Sequence, residues 1–229
     1  MKFKRIIGIV AAALLVVVVL IMNNIIPLKL DNPSAQPAAT VSASNGSTAT
    51  KPGDTSLKGK KVLVVFFSRT RGLNGGDTPA IGNTHRVANL IQEATGADMY
   101  EIVPEKDYPD EYRATTDVAK EEQANNVRPK IKNPLPDVSQ YDVVFVGGPI
   151  WWGEYPMVVR TFLDGVDLNG KTVIPFTTHE GSGMGNTKEQ LIKQYPNARV
   201  LDGIAIRGRQ AGSDETKTAV TNWLNQLGF

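Results

Sequence analysis

From Lys60 onward the chain alternates short, nearly continuous apolar runs with longer segments that are apolar on one side only. Val62 to Phe67 and Tyr141 to Gly147 show no period-two alternation and are too short for buried helices, so they read as strands covered on both faces. Between them, Val87, Leu90, Ile91 and Ala94 are spaced as one face of a helix that Gly96 can end. A second strand is expected over about Met99 to Val103, followed by a polar helical stretch after Pro109. Val158, Val159, Phe162 and Leu163 form the next apolar helical face. Thr172 to Thr177 reads as a fourth strand, Asn186 to Tyr195 as a helix, and residues 199 to 206 as a fifth strand. Val220, Trp223, Leu224 and Leu227 mark a last helix ending at Gly228. Strands of this kind interleaved with helices imply an α/β domain: a doubly wound, five-stranded parallel sheet with helices on both faces.

The rest of the chain is organised differently. Lys2, Lys4 and Arg5 precede Ile6 to Met22, where nothing is more polar than Gly8. Extended to Leu28, this run approaches the roughly 20 residues that cross a bilayer, and its basic flank should stay cytoplasmic. Residues 1–28 are therefore expected to be a transmembrane helix with the domain on the extracytoplasmic side. The competing reading is a signal segment cut near small residues such as Val41-Ser42-Ala43, giving a secreted domain. Residues 29–59, rich in Pro, Ala, Ser, Thr, Gly and Asn, read as a flexible linker, and residues 60–229 as the folded domain. That domain carries 19 basic and 21 acidic side chains, with no basic cluster interleaved with aromatics, so nucleic acid is not an expected partner. The chain has no cysteine, which excludes disulfides, thiol chemistry and a lipid-modified cysteine anchor. Asp, Glu and the two histidines show no metal-ligand spacing.

In doubly wound sheets, ligands lie beyond the carboxyl ends of the strands. Three segments fall there: 68–84, 147–154 and 177–185. The first offers hydroxyls at Ser68, Thr70 and Thr84, the amide of Asn83, a turn at Gly82 and unpaired N–H groups at a helix start, which together suit a phosphate without a lysine. A Walker loop would need Lys where His85 stands, and a dinucleotide fingerprint would need three spaced glycines. The second segment, Pro149-Ile150-Trp151-Trp152-Gly153, places two indoles where they can stack on a flat ring. The third, Thr178-His179-Glu180-Gly181-Ser182-Gly183, has glycines that allow close backbone approach.

On these residues the chain resembles the flavodoxin family. The likeness spans about residues 60 to 228 and rests on Phe67-Ser68-Arg69-Thr70 with Gly82-Asn83-Thr84, on Pro149 to Gly153, and on His179 to Gly183. The resemblance implies FMN as cofactor and strand order 2-1-3-4-5, of which flavodoxin itself is a standard example. Ser68, Thr70, Asn83 and Thr84 would hold the phosphate with Gly82 in the turn. Pro149, Ile150, Trp151, Trp152 and Gly153 would line the ring, with Thr178, His179, Glu180, Gly181, Ser182 and Gly183 on its other side. In the family a backbone amide after the third strand can turn toward the ring, and Gly153 occupies that place. Three departures stand out. Eleven residues, Arg71 to Ile81, separate the two halves of the phosphate motif; closure entropy grows slowly with loop length, so the site can survive, and the insert is expected to fold over the phosphate or ribose side as a flap. The domain is not strongly acidic, as electron-carrying members typically are, and an anchor is unusual.

The function expected is a membrane-tethered, extracytoplasmic FMN-binding electron-transfer protein. It would exchange electrons with an unidentified redox protein or membrane donor and acceptor, act as a monomer and need no catalytic side chain. The alternatives are an FMN-dependent NAD(P)H:quinone or nitro reductase and a flavin-free interaction module. A hydrolase built on Ser182 with His179 or His85 is disfavoured, because Glu180 stands where a nucleophile elbow needs glycine.

Overall fold

The structure, a computed structural model, describes residues 56–76 and 78–229. The segment expected to cross a membrane (1–28) and most of the linker (29–59) lie outside the described residues. Among the described residues no helix is long and apolar enough to cross a membrane.

The elements are β1 (Val62–Phe66), α1 (Asn83–Thr95), β2 (Asp98–Glu101), α2 (Tyr112–Ala124), β3 (Val143–Pro149), α3 (Met157–Asp164), β4 (Thr172–His179), α4 (Thr187–Gln194), β5 (Arg199–Val200), β6 (Ile204–Arg207) and α5 (Asp214–Gln226). All sheet pairings are parallel, in the order β2-β1-β3-β4, with β5 and β6 both beside β4. Every residue of β1 is buried, as are the first six of β3. Such strands need cover on both faces, and the helices supply it. On one face Val87, Ala88 and Ile91 of α1 and Val220, Trp223 and Leu224 of α5 pack on Val62, Val64, Phe66, Phe145 and Ile174. On the other, Val158, Val159, Phe162 and Leu163 of α3 and Leu191 of α4 pack on Leu63, Val65, Val144, Val146 and Val173, with Val118 of α2 at the margin. Each such side chain contributes roughly 1.5–3 kcal/mol of burial free energy.

Two features differ from the sequence reading. The second strand is mostly exposed rather than apolar on both faces. It is an edge strand with one partner, and its terminal Asp98 and Glu101 suit an edge that must not pair with another chain. The expected fifth strand, 199 to 206, is broken into β5 and β6. Val200 pairs with Val173 and Ile204 with Phe176, so three residues, Leu201 to Gly203, oppose two on β4. The cause is Pro175. The Val173 carbonyl accepts from the Leu201 N–H at 3.0 Å, so Pro175, two residues on, faces the same edge and has no N–H to give. Gly203 passes so close that a Cβ there would lie 2.1 Å from the Pro175 carbonyl oxygen.

The chain enters β1 from a stitched corner. The Leu57 N–H and the Ser56 hydroxyl both donate to the Gly228 carbonyl, each at 3.1 Å, and Leu57 is buried against the α1 and α5 face.

Gly147 of β3 lies between Phe66 and Phe176 in register, and a Cβ at Gly147 would sit 2.0 Å from Phe176 Cζ. Gly147→Ala should therefore cost about 1–3 kcal/mol of stability through overpacking, read as a lower denaturation midpoint in urea with an unchanged slope.

Candidate functional site

The three segments following β1, β3 and β4 border one crevice of about 960 Å³ at the carboxyl end of the sheet. Of the residues expected at the site, Ser68, Asn83, Thr84, Pro149, Ile150, Trp151, Trp152, Gly153, Thr178, His179, Glu180, Gly181 and Ser182 line it. Thr70, Gly82 and Gly183 do not line it. Gly82 is the N-cap of α1, packed so tightly that a Cβ would lie 2.3 Å from Ser68 Oγ and 2.4 Å from the Arg69 carbonyl oxygen. The Gly183 carbonyl accepts from Thr177 Oγ1 of β4 at 3.1 Å, a contact that turns it back onto its own strand.

At the start of α1, the Arg86 N–H bonds to the Gly82 carbonyl and the His85 N–H to Ser68 Oγ at 3.1 Å. The N–H groups of Asn83 and Thr84 have no partner among the described residues. These orphan donors, with the partial positive charge of a thirteen-residue helix behind them, suit an anion. Beside them the buried hydroxyls of Thr84 and Thr178 share a hydrogen bond of 2.8 Å. A shared pair uses one hydroxyl hydrogen and leaves the second to donate elsewhere.

The two indoles diverge. Trp151 packs edge-on against Phe67 and Tyr108, at centroid distances of 5.7 and 5.0 Å, and shows the crevice only part of its surface. Trp152 is 53% exposed and lies along α2, its Nε1 donating to the Thr116 carbonyl at 3.0 Å and its ring 5.4 Å from Lys120 Nζ. Trp152 and Gly153 both have positive φ, +50° and +88°, in a tight turn closed by the Trp151 to Glu154 pairing. A tryptophan held there costs on the order of 1–2 kcal/mol, which the surrounding bonds must offset.

The insert after Thr70 is fastened at its base. Arg69 donates to Thr115 Oγ1 (2.9 Å) and to the carbonyls of Tyr108 (3.0 Å) and Pro109 (2.8 Å), and Arg71 pairs with Asp110 at 2.7 Å. Burial lowers the Arg69 pKa from its ordinary value, while the carboxylates of Asp110 and Asp107 oppose the shift. Both arginines are thus engaged with the β2–α2 connection, and neither is a free phosphate ligand. Gly72, Leu73, Asn74, Thr78 and Pro79 of the insert line the crevice.

On the far wall, His179 Nδ1 accepts from the Gly181 N–H at 3.0 Å. Burial lowers the imidazole pKa, with the Arg207 charge adding and Glu180 opposing. Glu180 accepts from the Arg209 N–H at 3.2 Å. Among the described residues the Ser182 hydroxyl has no hydrogen bond to either histidine, and His179 Nδ1 is taken by the Gly181 N–H. Sequence reasoning missed Tyr112, Thr115, Thr116 and Ala119 of α2 and the Gly208-Arg209 turn after β6, all of which line the crevice. The exposed aromatic Tyr112 at the start of a polar helix was the available signal for α2.

A model of the flavodoxin family matches residues 61–227. The chain belongs to the flavodoxin family. Among solved structures, this flavodoxin-family chain is similar to a protein from Bacteroides eggerthii described as a flavoprotein, at 32% identity and TM-score 0.57, covering 74% of this chain and 99% of that one. A second such protein, from Bacteroides uniformis, gives 31% identity and TM-score 0.60, covering 73% and 99%. A flavoprotein from Lactobacillus acidophilus, solved in complex with FMN, shares the fold at 21% identity and TM-score 0.51, covering 66% and 95%. No curated protein matches the chain. The donor set fits the FMN expected of a flavodoxin: unpaired N–H groups and neutral hydroxyls for a phosphomonoester, and indole surface for a planar ring.

Two outcomes follow from this geometry. Thr84→Val strands the buried Thr178 hydroxyl and should cost about 1–3 kcal/mol in the ligand-free protein, whereas Thr84→Val with Thr178→Val should cost less than the single change, measured by urea unfolding. The folded His179 holds its proton less readily than an unfolded histidine, so its stabilising contribution is present above the ordinary value near 6.5 and is lost as pH falls through the folded value. An NMR titration should place its midpoint below that ordinary value, with the Gly181 amide shifting in step as Nδ1 ceases to accept.

Proposed function

We propose that this chain binds FMN in the crevice and passes single or paired electrons between redox partners while tethered at the outer face of a membrane. The observation that carries the cofactor assignment is the start of α1, where two unpaired N–H groups stand beside neutral hydroxyls. Bound FMN supplies the redox chemistry; the protein supplies binding, orientation and electrostatics. Ser68, already used by the His85 N–H, fixes the turn that aims the Asn83 and Thr84 donors, and the Thr84–Thr178 pair ties that turn to β4. Trp151, immobilised by Phe67 and Tyr108, gives a rigid wall, and Gly72, Leu73, Asn74, Thr78 and Pro79 of the insert add to the lining. No side chain in this scheme acts as acid or base. The tether reading rests on Ile6 to Met22 and its basic flank, with secretion after cleavage as the alternative. The partners are a redox protein or a membrane donor and acceptor, and the domain works as a monomer.

A second reading, an FMN-dependent NAD(P)H:quinone or nitro reductase, is favoured by the crevice size. About 960 Å³ lies at the upper end of the usual range for one small ligand, roughly 300–1,000 Å³, and offers space for a second planar molecule.

Adding FMN to the full-length chain should give a yellow complex with quenched flavin fluorescence; absence of a bound chromophore would leave a flavin-free module. Steady-state NAD(P)H oxidation in the presence of a quinone separates the carrier from the reductase, with rapid turnover favouring the reductase. Deleting Arg71 to Ile81 should weaken FMN binding by about tenfold, near 1.4 kcal/mol, and unchanged affinity would remove the insert from the site.

A further inference from the structure

Tyr108, buried in the β2–α2 connection, joins a crevice tryptophan to a proton acceptor. Its ring meets Trp151 edge-on at a centroid distance of 5.0 Å, and Trp151 lines the crevice. The Tyr108 hydroxyl donates to Glu122 Oε2 of α2 at 2.8 Å. The Arg69 guanidinium lies 5.6 Å from the centroid of the same ring. Among the described residues no other buried phenol combines these contacts. Tyr155 and Tyr195 donate to the carbonyls of Val146 and Leu163, which do not take up a proton. Tyr141 donates to the carboxylate of Asp98, but at the amino end of the sheet, away from the crevice.

We infer that Tyr108 and Glu122 form a redox relay, in which Tyr108 passes an electron to oxidised Trp151 while its phenol proton crosses to Glu122. The step balances. Trp151 gives one electron to a strong one-electron oxidant in the crevice and becomes a radical cation. Tyr108 then gives one electron to Trp151, restoring the neutral indole, as its O–H bond breaks and the proton passes to the Glu122 carboxylate. The products are a neutral tyrosyl radical and a protonated Glu122, and the return of one electron reverses both transfers. The proton cannot stay behind, because a tyrosine radical cation would stand buried beside the Arg69 charge. Burial pushes the phenol pKa above its ordinary value, so Tyr108 keeps its proton until the electron leaves. Burial also raises the pKa of Glu122, with the Tyr108 hydrogen bond opposing, which makes the ionised form a better proton acceptor than an ordinary carboxylate. The relay thus moves oxidising equivalents off the indole that walls the crevice. That the oxidant is light-excited FMN rests on the functional reading above; the relay itself needs only Trp151.

Pulsed generation of azide radicals, which oxidise tryptophan in preference to tyrosine, tests the relay in the ligand-free full-length chain. Tryptophan radical absorbance should convert to tyrosyl radical absorbance in a first-order fast phase that Tyr108→Phe removes. Glu122→Gln should slow that phase about tenfold, and heavy water should slow it in the unaltered chain. Glutamine keeps an acceptor oxygen for the hydroxyl but takes no proton, so an unchanged rate in Glu122→Gln would mean a merely structural hydrogen bond and overturn the relay. A fast phase that survives Tyr108→Phe, or no conversion in the unaltered chain, overturns it as well. With FMN bound, a blue-light flash should produce the same tyrosyl absorbance, lost in Tyr108→Phe; bound FMN without that signal overturns the flavin-driven use. If FMN does not bind while the azide-driven conversion holds, the functional reading fails and the relay stands.

Discussion

Phe66, Gly147 and Phe176 stand in register on three neighbouring strands, and the close contact of the Phe176 ring with the bare backbone of Gly147 is what holds β1, β3 and β4 together near their carboxyl ends. A side chain at the middle position would push the ring away and shift one strand end against the others. β3 and β4 run two and three residues past the level of Phe66, and the segments that follow all three strands emerge into one crevice. Parallel pairing fixes the rest, since it sends each return through a helix and leaves the carboxyl ends to loops alone. The buried faces hold the scaffold, and the loops inherit their positions from it.

Much of this was legible in the sequence. Nearly continuous apolar runs marked β1, β3 and β4, and the helical periods of Val87 to Ala94 and Val220 to Leu227 located α1 and α5. The strand order was carried by family resemblance and agrees with the sheet observed. Edges were harder. The exposure of β2 depends on having one neighbour, and the break between β5 and β6 depends on which way Pro175 faces, a long-range fact that no local pattern carries.

At the site, residues set by local chemistry were found and residues brought by tertiary packing were not. The hydroxyls of Ser68 and Thr84 and the amide of Asn83 could be picked out from the signature of a helix start, and they line the crevice. The divergence of Trp151 and Trp152 could not, because it follows from Tyr108 on one side and Thr116 on the other, both distant in sequence. Arg69 illustrates the same limit. Next to a phosphate motif it looks like an anion ligand, yet its guanidinium is consumed by Thr115 and two carbonyls, turning charge into a rivet for the insert.

The stitched corner at Ser56 and Leu57 has a mechanical meaning. Both residues bind the Gly228 carbonyl, and Lys60 leads into the amino end of β1, so the chain joins the domain at the end of the sheet opposite the crevice. Tension arriving along the preceding polypeptide would be taken up by two hydrogen bonds and the buried Leu57, then spread into α1, α5 and the central ladder. The crevice-lining loops lie at the other end of the sheet, outside these contacts, so strain entering at this corner would reach them only through the buried core.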